Sequence, residues 1–311
     1  MILKVAVIIG RCGGFVNHMG AQNEFWLALS GAKLYKNEEM CYNKFNMETQ
    51  EGFTFISGAT GGIGRAFCDI CVQEGDLFLT GRSASRLEEL RTHLQTRYPT
   101  RKIEYFACDL TDEAARAEMF SYIAERGLRF SRLINVAGAD IQKAFEKYTQ
   151  EKLTFQCRTN FEAAVSLTRF VLENRTDLLE ILTVGSISAV YPMPYFALYS
   201  ATKKAEEQFF YALRTELSGR NVKVTVVEPG GVYTRPDVIA DIRGQGLWGK
   251  LSAKTPAYIA RKSLSAVCRN KRVYRPGFWN KVIATVPRLL PPGVRLHFIA
   301  RRWKKLEKDA F

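Results

Sequence analysis

The sequence contains no uninterrupted apolar run of the roughly 20 residues that a membrane-spanning helix requires. It also contains no low-complexity tract and no internal repeat. The first residues, MILKVAVIIGRCGG, include one lysine and a short apolar stretch, but no small-residue cleavage site follows. We therefore expect neither a signal peptide nor a membrane span.

Cysteine and histidine are few and scattered. Seven cysteines form an odd number without a disulfide framework, which favours reduced thiols and a cytoplasmic location. Cys68 and Cys71 form a CxxC, but no second pair or nearby histidine completes a zinc site. The three histidines, His18, His93 and His297, lie in unrelated contexts. The sequence thus predicts no metal site, and we interpret the CxxC as helix packing.

Acidic residues are nearly absent from the last part of the chain. Residues 243–311 contain 17 Lys/Arg but only Glu307 and Asp309, whereas the first 242 residues hold 28 basic and 29 acidic side chains. The overall fractions, 47% hydrophobic and 24% charged, are those of an ordinary globular protein. Because the excess charge is confined to the tail and no recognised motif accompanies it, nucleic-acid binding is not expected.

From about residue 52, short apolar runs alternate with longer amphipathic segments. Six runs are predicted to be buried strands: FTFIS, DLFLT, KIEYFAC, RLINVAG, LLEILTVGS and VKVTVVEPG. Strands that alternate with helices predict βαβ units, so the expected fold is α/β, a doubly wound parallel sheet in a Rossmann-type three-layer sandwich. This single domain should span residues 47–277. Residues 1–46 form an extension, or sequence upstream of a start at Met47, and residues 278–311 form a basic amphipathic tail.

The first predicted strand ends in a glycine-rich turn, SGATGGIGRAF. Gly58, Gly62 and Gly64 would let the backbone approach a pyrophosphate at the N-terminus of the next helix, although such a turn also occurs without a ligand. No Gly-Lys-Ser/Thr follows, so it is not a P-loop. The second strand lacks the terminal acidic residue that usually binds the NAD ribose. Arg82 and Ser83 stand there instead, which favours NADP(H) over NAD(H).

Tyr199 and Lys203 are four residues apart in a predicted helix and therefore share one face. That spacing alone fits a catalytic pair or a helix with a charged face. Lys204 lies off this face, and neither Tyr191 nor Tyr195 has a lysine four residues later. We expect these two tyrosines to line a pocket.

Over roughly residues 52–275 the combined motifs resemble the short-chain dehydrogenase/reductase family. SGATGGIG resembles its TGxxxGxG turn, with Ser57 in place of Thr, and NVAG resembles its NNAG segment, with Val136 in place of Asn. CDLT resembles the adenine-contacting segment, and EPGGVYT resembles PGxVxT. The resemblance implies cofactor contacts at Gly58, Thr60, Gly62, Ile63, Gly64, Arg82, Ser83, Asp109, Leu110, Asn135, Ala137, Gly138, Tyr199, Lys203, Pro229, Gly230, Val232 and Thr234.

The resemblance also implies a catalytic set. Tyr199 would donate the proton in reduction and accept it in oxidation, and Lys203 would lower the pKa of its phenol and bind the nicotinamide ribose. Ser186, 13 residues before Tyr199, would hold the substrate oxygen. Asn160 would position a water beside Lys203. These residues imply NADP-dependent oxidation or reduction between a secondary alcohol and a ketone, aldehyde or 3-oxoacyl group.

Two segments leave alternatives open. Residues 232–255, with Leu247 and Trp248, are expected to form a mobile lid with an apolar wall. The basic tail fits peripheral contact with an anionic membrane at its cytoplasmic face, a helix that covers an apolar groove, or a dimer contact. A homodimer or homotetramer is expected from the family resemblance. The functional alternatives are a non-catalytic NADP(H) sensor and a protein that acts through its tail.

Overall fold

The structure is a computed structural model that describes residues 51–234, 236–244, 249 and 251–304. The predicted extension over residues 1–46 lies outside this described part. Within it, the architecture is one parallel sheet with helices on both faces, as the alternation of apolar runs and amphipathic segments predicts.

The sheet has seven strands in the order β3-β2-β1-β4-β5-β6-β7, and every neighbouring pair is parallel. The predicted fold class is confirmed. The strand order reverses between β1 and β4, and in such sheets ligands bind beyond the carboxyl ends of the strands at that point. The strands are β1 Phe53–Ser57, β2 Asp76–Gly81, β3 Ile103–Ala107, β4 Phe130–Asn135, β5 Arg175–Val184, β6 Val222–Val227 and β7 Val273–Tyr274.

Ten described α-helices connect or follow the strands. They are α1 Gly62–Glu74, α2 Ala84–Arg97, α3 Glu113–Glu125, α4 Gln150–Cys157, α5 Ala163–Glu173, α6 Ala197–Glu216, α7 Pro236–Gly244, α8 Pro256–Cys268, α9 Phe278–Thr285 and α10 Pro292–Trp303. Short 3-10 segments cover Phe145–Lys147, Ile187–Val190 and Val286–Leu289.

Local sequence explains where several helices begin. The side chain of Ser83 accepts a hydrogen bond from the Arg86 amide at the start of α2. Asp112 accepts from two amides at the start of α3, and Thr255 caps α8 with Pro256 in the first turn. Each side chain provides an acceptor for amides that have no partner within the helix.

The core lies on both faces of the sheet. Phe55 on β1 packs against Phe78 and Phe130, with ring centroids 4.9 and 5.3 Å apart. Its neighbour Ile56 faces the opposite layer, because successive strand residues point to opposite sides. Cys68 and Cys71 are fully buried there, in the hydrophobic cluster that α1 shares with the sheet. The helix-packing interpretation of the CxxC agrees with this position.

The helical segment before β5 contains a π turn. The chain runs from α4 through this turn, Arg158–Glu162, directly into α5. A π turn inserts an extra residue into the helix and occurs often at functional sites. Asn160, within the turn, is completely buried. Helix α5 ends at Glu173, and strand β5 begins at Arg175, three residues earlier than predicted.

The C-terminal segment is helical but interrupted. Helix α9 ends at Thr285, and α10 begins at Pro292 after a 3-10 turn. Proline lacks an amide hydrogen and cannot continue a helix ladder, so Pro291 and Pro292 separate the two helices. Across the described residues, no helix combines the length and the apolarity needed to cross a membrane.

Candidate active site

A single cleft of about 1330 Å³ lies beyond the carboxyl ends of the strands. It brings together most of the residues that the sequence predicted for cofactor binding and catalysis. Those that line it are Gly58, Thr60, Gly62, Ile63, Gly64, Arg82, Asp109, Leu110, Ala137, Gly138, Ser186, Tyr199, Lys203, Pro229, Gly230, Val232 and Thr234. Ser83, Asn135 and Asn160 do not line the cleft.

The glycine-rich turn is packed too closely for side chains. Gly58 adopts φ +65°, a conformation that favours glycine, and an added Cβ would lie 2.9 Å from the Ala137 amide nitrogen. A Cβ on Gly64 would lie 2.2 Å from the Gly58 carbonyl oxygen. The turn therefore keeps bare backbone at the N-terminus of α1, where a phosphate group is attracted.

Ser57 ties this turn to the next segment of the site. Its hydroxyl accepts hydrogen bonds from the amides of Val136 and Ala137, at 3.1 and 3.3 Å. Asn135, predicted to contact the cofactor, instead points into the layer behind the sheet. Its side-chain nitrogen lies 3.4 Å from the hydroxyls of Thr168 and Thr183. Asn135 thus stabilises the carboxyl end of β4 and does not line the cleft.

The end of β2 presents two arginines to the cleft. Arg82 lines it and lies over the Phe155 ring, 5.6 Å from the centroid. Arg86 also lines it and donates to the Thr60 carbonyl at 2.8 Å. Sequence analysis missed Arg86, although its position one helical turn after Arg82 could have indicated it. Ser83 serves as the cap of α2 and points away from the cleft.

Tyr199 and Ser186 meet at the centre of the cleft. Both side chains line it, the Ser186 hydroxyl lies close enough to the Tyr199 phenol to lower its pKa, and Tyr199 is partly buried at the start of α6. Ser186 follows β5 and also accepts a hydrogen bond from the Ser188 amide at 3.2 Å. This arrangement holds the phenol beside a second hydroxyl, so both can contact one substrate oxygen.

The pKa of Tyr199 is raised above its ordinary value of 10. Burial of the hydroxyl is the largest cause, and the negative charge of Asp140 adds to it. The Ser186 hydroxyl lowers the pKa, whereas Glu206 raises it further. Burial, together with the nearby carboxylates, therefore favours the protonated phenol.

The ammonium of Lys203 is engaged by a buried carboxylate. Its Nζ lies 2.7 Å from an Oε of Glu206 and donates to the Val184 carbonyl at 3.1 Å. Lys203 and Glu206 are 3% and 1% exposed. Burial raises the pKa of Glu206 to about 7, against the opposing effect of Lys203. Sequence analysis missed Glu206; its spacing of three from Lys203 was the available signal.

Asn160 lies behind the predicted catalytic pair, Tyr199 and Lys203. Its Oδ1 accepts from the Ala139 amide at 2.6 Å, and its Nδ2 donates to the Ala139 carbonyl and to the Thr202 hydroxyl. A Cβ on Gly138 would lie 3.5 Å from both the Asn160 Oδ1 and the Lys203 Nζ. Asn160 thus connects the segment after β4 with the helix that carries Tyr199 and Lys203.

The loop after β6 is fixed by the C-terminal segment. Asn280 is fully buried and donates to the carbonyls of Ser252 and Pro276 at 3.0 and 2.7 Å. A Cβ on Gly230 would lie 2.6 Å from its Oδ1, so the loop can approach only because residue 230 is glycine. The predicted lid wall, Leu247 and Trp248, lies outside the described residues.

Helix α10 forms the outer wall of the cleft, which sequence analysis considered only as one alternative for the tail. The Trp303 ring stacks on Phe196 at 5.7 Å, and Phe196 stacks on Tyr199 at 4.4 Å. Tyr191 lines the cleft, as predicted, and donates to the Ala284 carbonyl at 2.8 Å. The tail therefore covers an apolar groove beside the catalytic residues.

No cluster of three or more metal-ligating side chains occurs among the described residues. The polar groups that converge in the cleft are hydroxyls, an ammonium, arginines, backbone amides, the Gln142 amide and the carboxylates of Asp109 and Asp140. This donor set suits an anionic cofactor and a carbonyl or hydroxyl group.

Comparison with known proteins agrees with this geometry. Residues 53–239 match the model of the short chain dehydrogenase family. Dehydrogenase/reductase SDR family member 7B of Bos taurus is 30% identical over 266 residues, which cover 82% of each chain.

Two solved structures share the fold. A structure of 7β-hydroxysteroid dehydrogenase has a TM-score of 0.72 at 19% identity, and the match covers 82% of this chain and 99% of that one. An angucycline C-6 ketoreductase crystallised with bound NADP has a TM-score of 0.65 at 20% identity, over 74% of this chain and 95% of that one. The chain is a member of the short-chain dehydrogenase/reductase family of oxidoreductases.

Proposed function

We propose that this protein is an NADP(H)-preferring carbonyl reductase, which interconverts a ketone, aldehyde or 3-oxoacyl group and the corresponding alcohol. The carrying observation is that Ser186, Tyr199 and Lys203 line the same cleft as the glycine-rich turn. The turn fits a dinucleotide, because its backbone lines the cleft at the N-terminus of α1 and is packed too tightly for side chains at Gly58 and Gly64.

The nicotinamide cofactor, when bound, supplies or accepts the hydride. The residues of this chain handle the proton and the oxygen. Ser186 donates a hydrogen bond to the carbonyl oxygen and stabilises the charge that develops there. Tyr199 gives its proton to that oxygen in reduction. Its raised pKa favours the protonated phenol, which is the form that reduction requires.

Lys203 and Asn160 support this proton transfer. Lys203 would hydrogen-bond the nicotinamide ribose, for which its ammonium is held near Gly138 on the cleft wall. Asn160 would hold the ordered water that returns a proton to Tyr199 through Lys203. Its contacts to Ala139 and Thr202 fix the backbone on both sides of that route.

The preference for NADP(H) rests on Arg82 and Arg86. Both line the cleft at the end of β2, where no carboxylate is available for a ribose 2′-hydroxyl. Each charge-assisted hydrogen bond to a phosphate is worth about 1.5–3 kcal/mol, or roughly 10- to 100-fold in affinity. Replacement of both by alanine should reduce the ratio of NADPH to NADH affinity by at least tenfold. Arg91→Gln on the same helix is the control, and an unchanged ratio would contradict the assignment.

The proposed activity is tested by NADPH oxidation across ketones, aldehydes and 3-oxoacyl thioesters. With the best substrate, Tyr199→Phe should lower kcat by about 100-fold or more, because general acid catalysis contributes 10²–10⁴. Tyr195→Phe is the matched control, since Tyr195 lies outside the cleft. Tight NADPH binding without turnover across the panel would instead favour the non-catalytic sensor.

Assembly and location remain proposals from the family resemblance. We expect a homodimer or homotetramer through α5 and α6, which light scattering after size-exclusion chromatography would measure. A cytoplasmic location follows the cysteine pattern, and fractionation of cells with an antibody to the protein would test it.

A second candidate role is peripheral contact with an anionic membrane. The outward side of the tail, defined by Phe278, Leu289, Lys281 and Arg288, combines exposed apolar and basic residues; Phe278 is 69% and Leu289 85% exposed. Such a surface can bind anionic lipid. Co-sedimentation with phosphatidylserine vesicles should fall for Phe278→Ser/Leu289→Ser. Equal sedimentation of variant and parent would refute this role.

A further inference from the structure

The outer wall of the cleft is strongly basic. Arg295, Arg301 and Arg302 on α10 line the same cleft as Ser186 and Tyr199. Residues 278–304 contain no aspartate or glutamate, so this stretch carries basic charge only. Arg295 is oriented by the Tyr191 ring, 4.6 Å from its guanidinium, and by the Pro287 carbonyl at 3.4 Å.

An apolar surface separates these arginines from the catalytic hydroxyls. Phe196 stacks on Tyr199, and Trp303 stacks on Phe196. Because Trp303 directly follows Arg302 in the chain, these two ring contacts connect the phenol with the arginine end of the cleft. Further apolar side chains complete the wall: Met193, Val282, Ile283, Leu290 and Ile299. A ligand that reaches from the phenol to the arginines must therefore have an apolar middle.

The inner end of the cleft has the opposite charge preference. Asp140 lines it, and its negative charge raises the pKa of Tyr199. A second negative charge next to the reacting carbonyl would meet that aspartate. An anionic group on the substrate is thus favoured at the arginine end and disfavoured beside the carbonyl.

We propose that the substrate is an amphipathic oxo acid, whose anionic group binds Arg301 and Arg302 while its carbonyl, separated by an apolar body, reaches Ser186 and Tyr199. This inference deepens the proposed reductase function and rests on it. Arginine suits the role because its planar fork binds a carboxylate or phosphate in a bidentate manner.

The test compares a long-chain fatty acid that carries a mid-chain ketone with its methyl ester. For the parent protein, kcat/KM should be about tenfold or more higher for the acid, the factor expected for one charge-assisted hydrogen bond. In Arg301→Gln/Arg302→Gln the difference should shrink toward one, mainly through KM. Lys281→Gln/Arg288→Gln removes the same charge from tail residues that do not line the cleft, and it should keep the difference.

Two further measurements extend the test, and the second does not depend on the proposed activity. The mid-chain oxo acid should be reduced faster than 2-oxodecanoate, whose carboxylate would lie near Asp140. Decanoate should quench tryptophan fluorescence at lower concentration than decanol, and only in proteins that retain Arg301 and Arg302.

Each outcome decides one claim. Equal turnover of acid and ester, with the arginine variant unchanged, would overturn the anion site and leave the reductase function standing. Absence of turnover with every carbonyl compound would overturn the reductase function. Preferential binding of decanoate would still support the anion site in that case, and equal binding of decanoate and decanol would refute it. An equal loss in both double variants would indicate a general effect of basic charge and would also refute the site.

Discussion

Replacement of Glu206 by glutamine should shift the pH dependence of alcohol oxidation. Oxidation requires the Tyr199 phenolate, so its rate rises with pH until the phenol is ionised. Glu206 raises the pKa of Tyr199, and it is itself anionic above its own pKa of about 7. Glutamine retains the shape and removes the charge. It also releases Lys203 from its ion pair, and both changes favour the phenolate.

The magnitude follows from the helix geometry. Residues 199 and 206 are seven apart, which corresponds to about 10.5 Å along the axis at 1.5 Å per residue. At an effective dielectric constant of about 20, two unit charges at that distance interact by roughly 1.6 kcal/mol. This energy equals about one pKa unit. The rising limb of the pH–rate profile should therefore move about one unit lower in Glu206→Gln.

The assay is kcat for alcohol oxidation with NADP⁺ between about pH 6 and 10, beside circular dichroism and NADP⁺ affinity as controls for folding and binding. Glu207→Gln is the matched variant, because Glu207 pairs with Lys204 at 2.5 Å with the same spacing of three. In Glu207→Gln the rising limb of the pH–rate profile should lie at the same pH as in the parent protein. A folded, cofactor-binding Glu206→Gln protein whose limb does not move would refute the electrostatic reasoning.

Three further predictions concern a glycine that lines the cleft and two buried charged groups of the fold. Gly64→Ala should weaken NADPH binding by at least about tenfold and lower Tm, because its Cβ would lie 2.2 Å from the Gly58 carbonyl oxygen; isothermal titration measures the affinity. Arg132→Met should cost about 3–5 kcal/mol of unfolding free energy in urea, because it removes one partner of the fully buried Glu180, 2.9 Å away. A cost below about 1 kcal/mol would contradict the conclusion that Arg132 stabilises the buried Glu180 carboxylate. Burial raises the pKa of Glu228 from 4.5 to about 7, so its stabilising contribution is complete below about pH 4.5 and is lost as pH rises through 7. Glu228→Gln should flatten this decline, which thermal melts from pH 4.5 to 8 would detect.

The sheet was predictable because its strands are short apolar runs between amphipathic segments. Strand positions followed from local pattern, and β1 was located to the residue at Phe53–Ser57. The helix after residue 150 was not predictable in the same way. Its π turn depends on Asn160 bonding to Ala139, a residue 21 positions earlier in the chain. Sequence periodicity carries no signal for such a distant partner.

The residues of the candidate site also fall into two groups, those that local sequence patterns predict and those that they do not. The glycine-rich turn, Ser186 and the Tyr199–Lys203 pair are readable because each depends on residue type at a fixed local spacing. Arg86 and Glu206 were missed because an arginine and a glutamate on a helix are usually solvated. Only the packing of α2 and α6 places one in the cleft and the other in the interior.

The sequence by itself therefore determined the parallel α/β fold and the family, since these follow from periodicity and short motifs, and it also predicts the roles of the central residues. The tertiary structure alone decided the environment of those residues. It buried Glu206 against Lys203, raised the pKa of Tyr199 through burial, and brought the basic tail to the outer wall of the cleft. Burial and the field of distant charges arise only when separate segments pack together, so no local pattern could have predicted them.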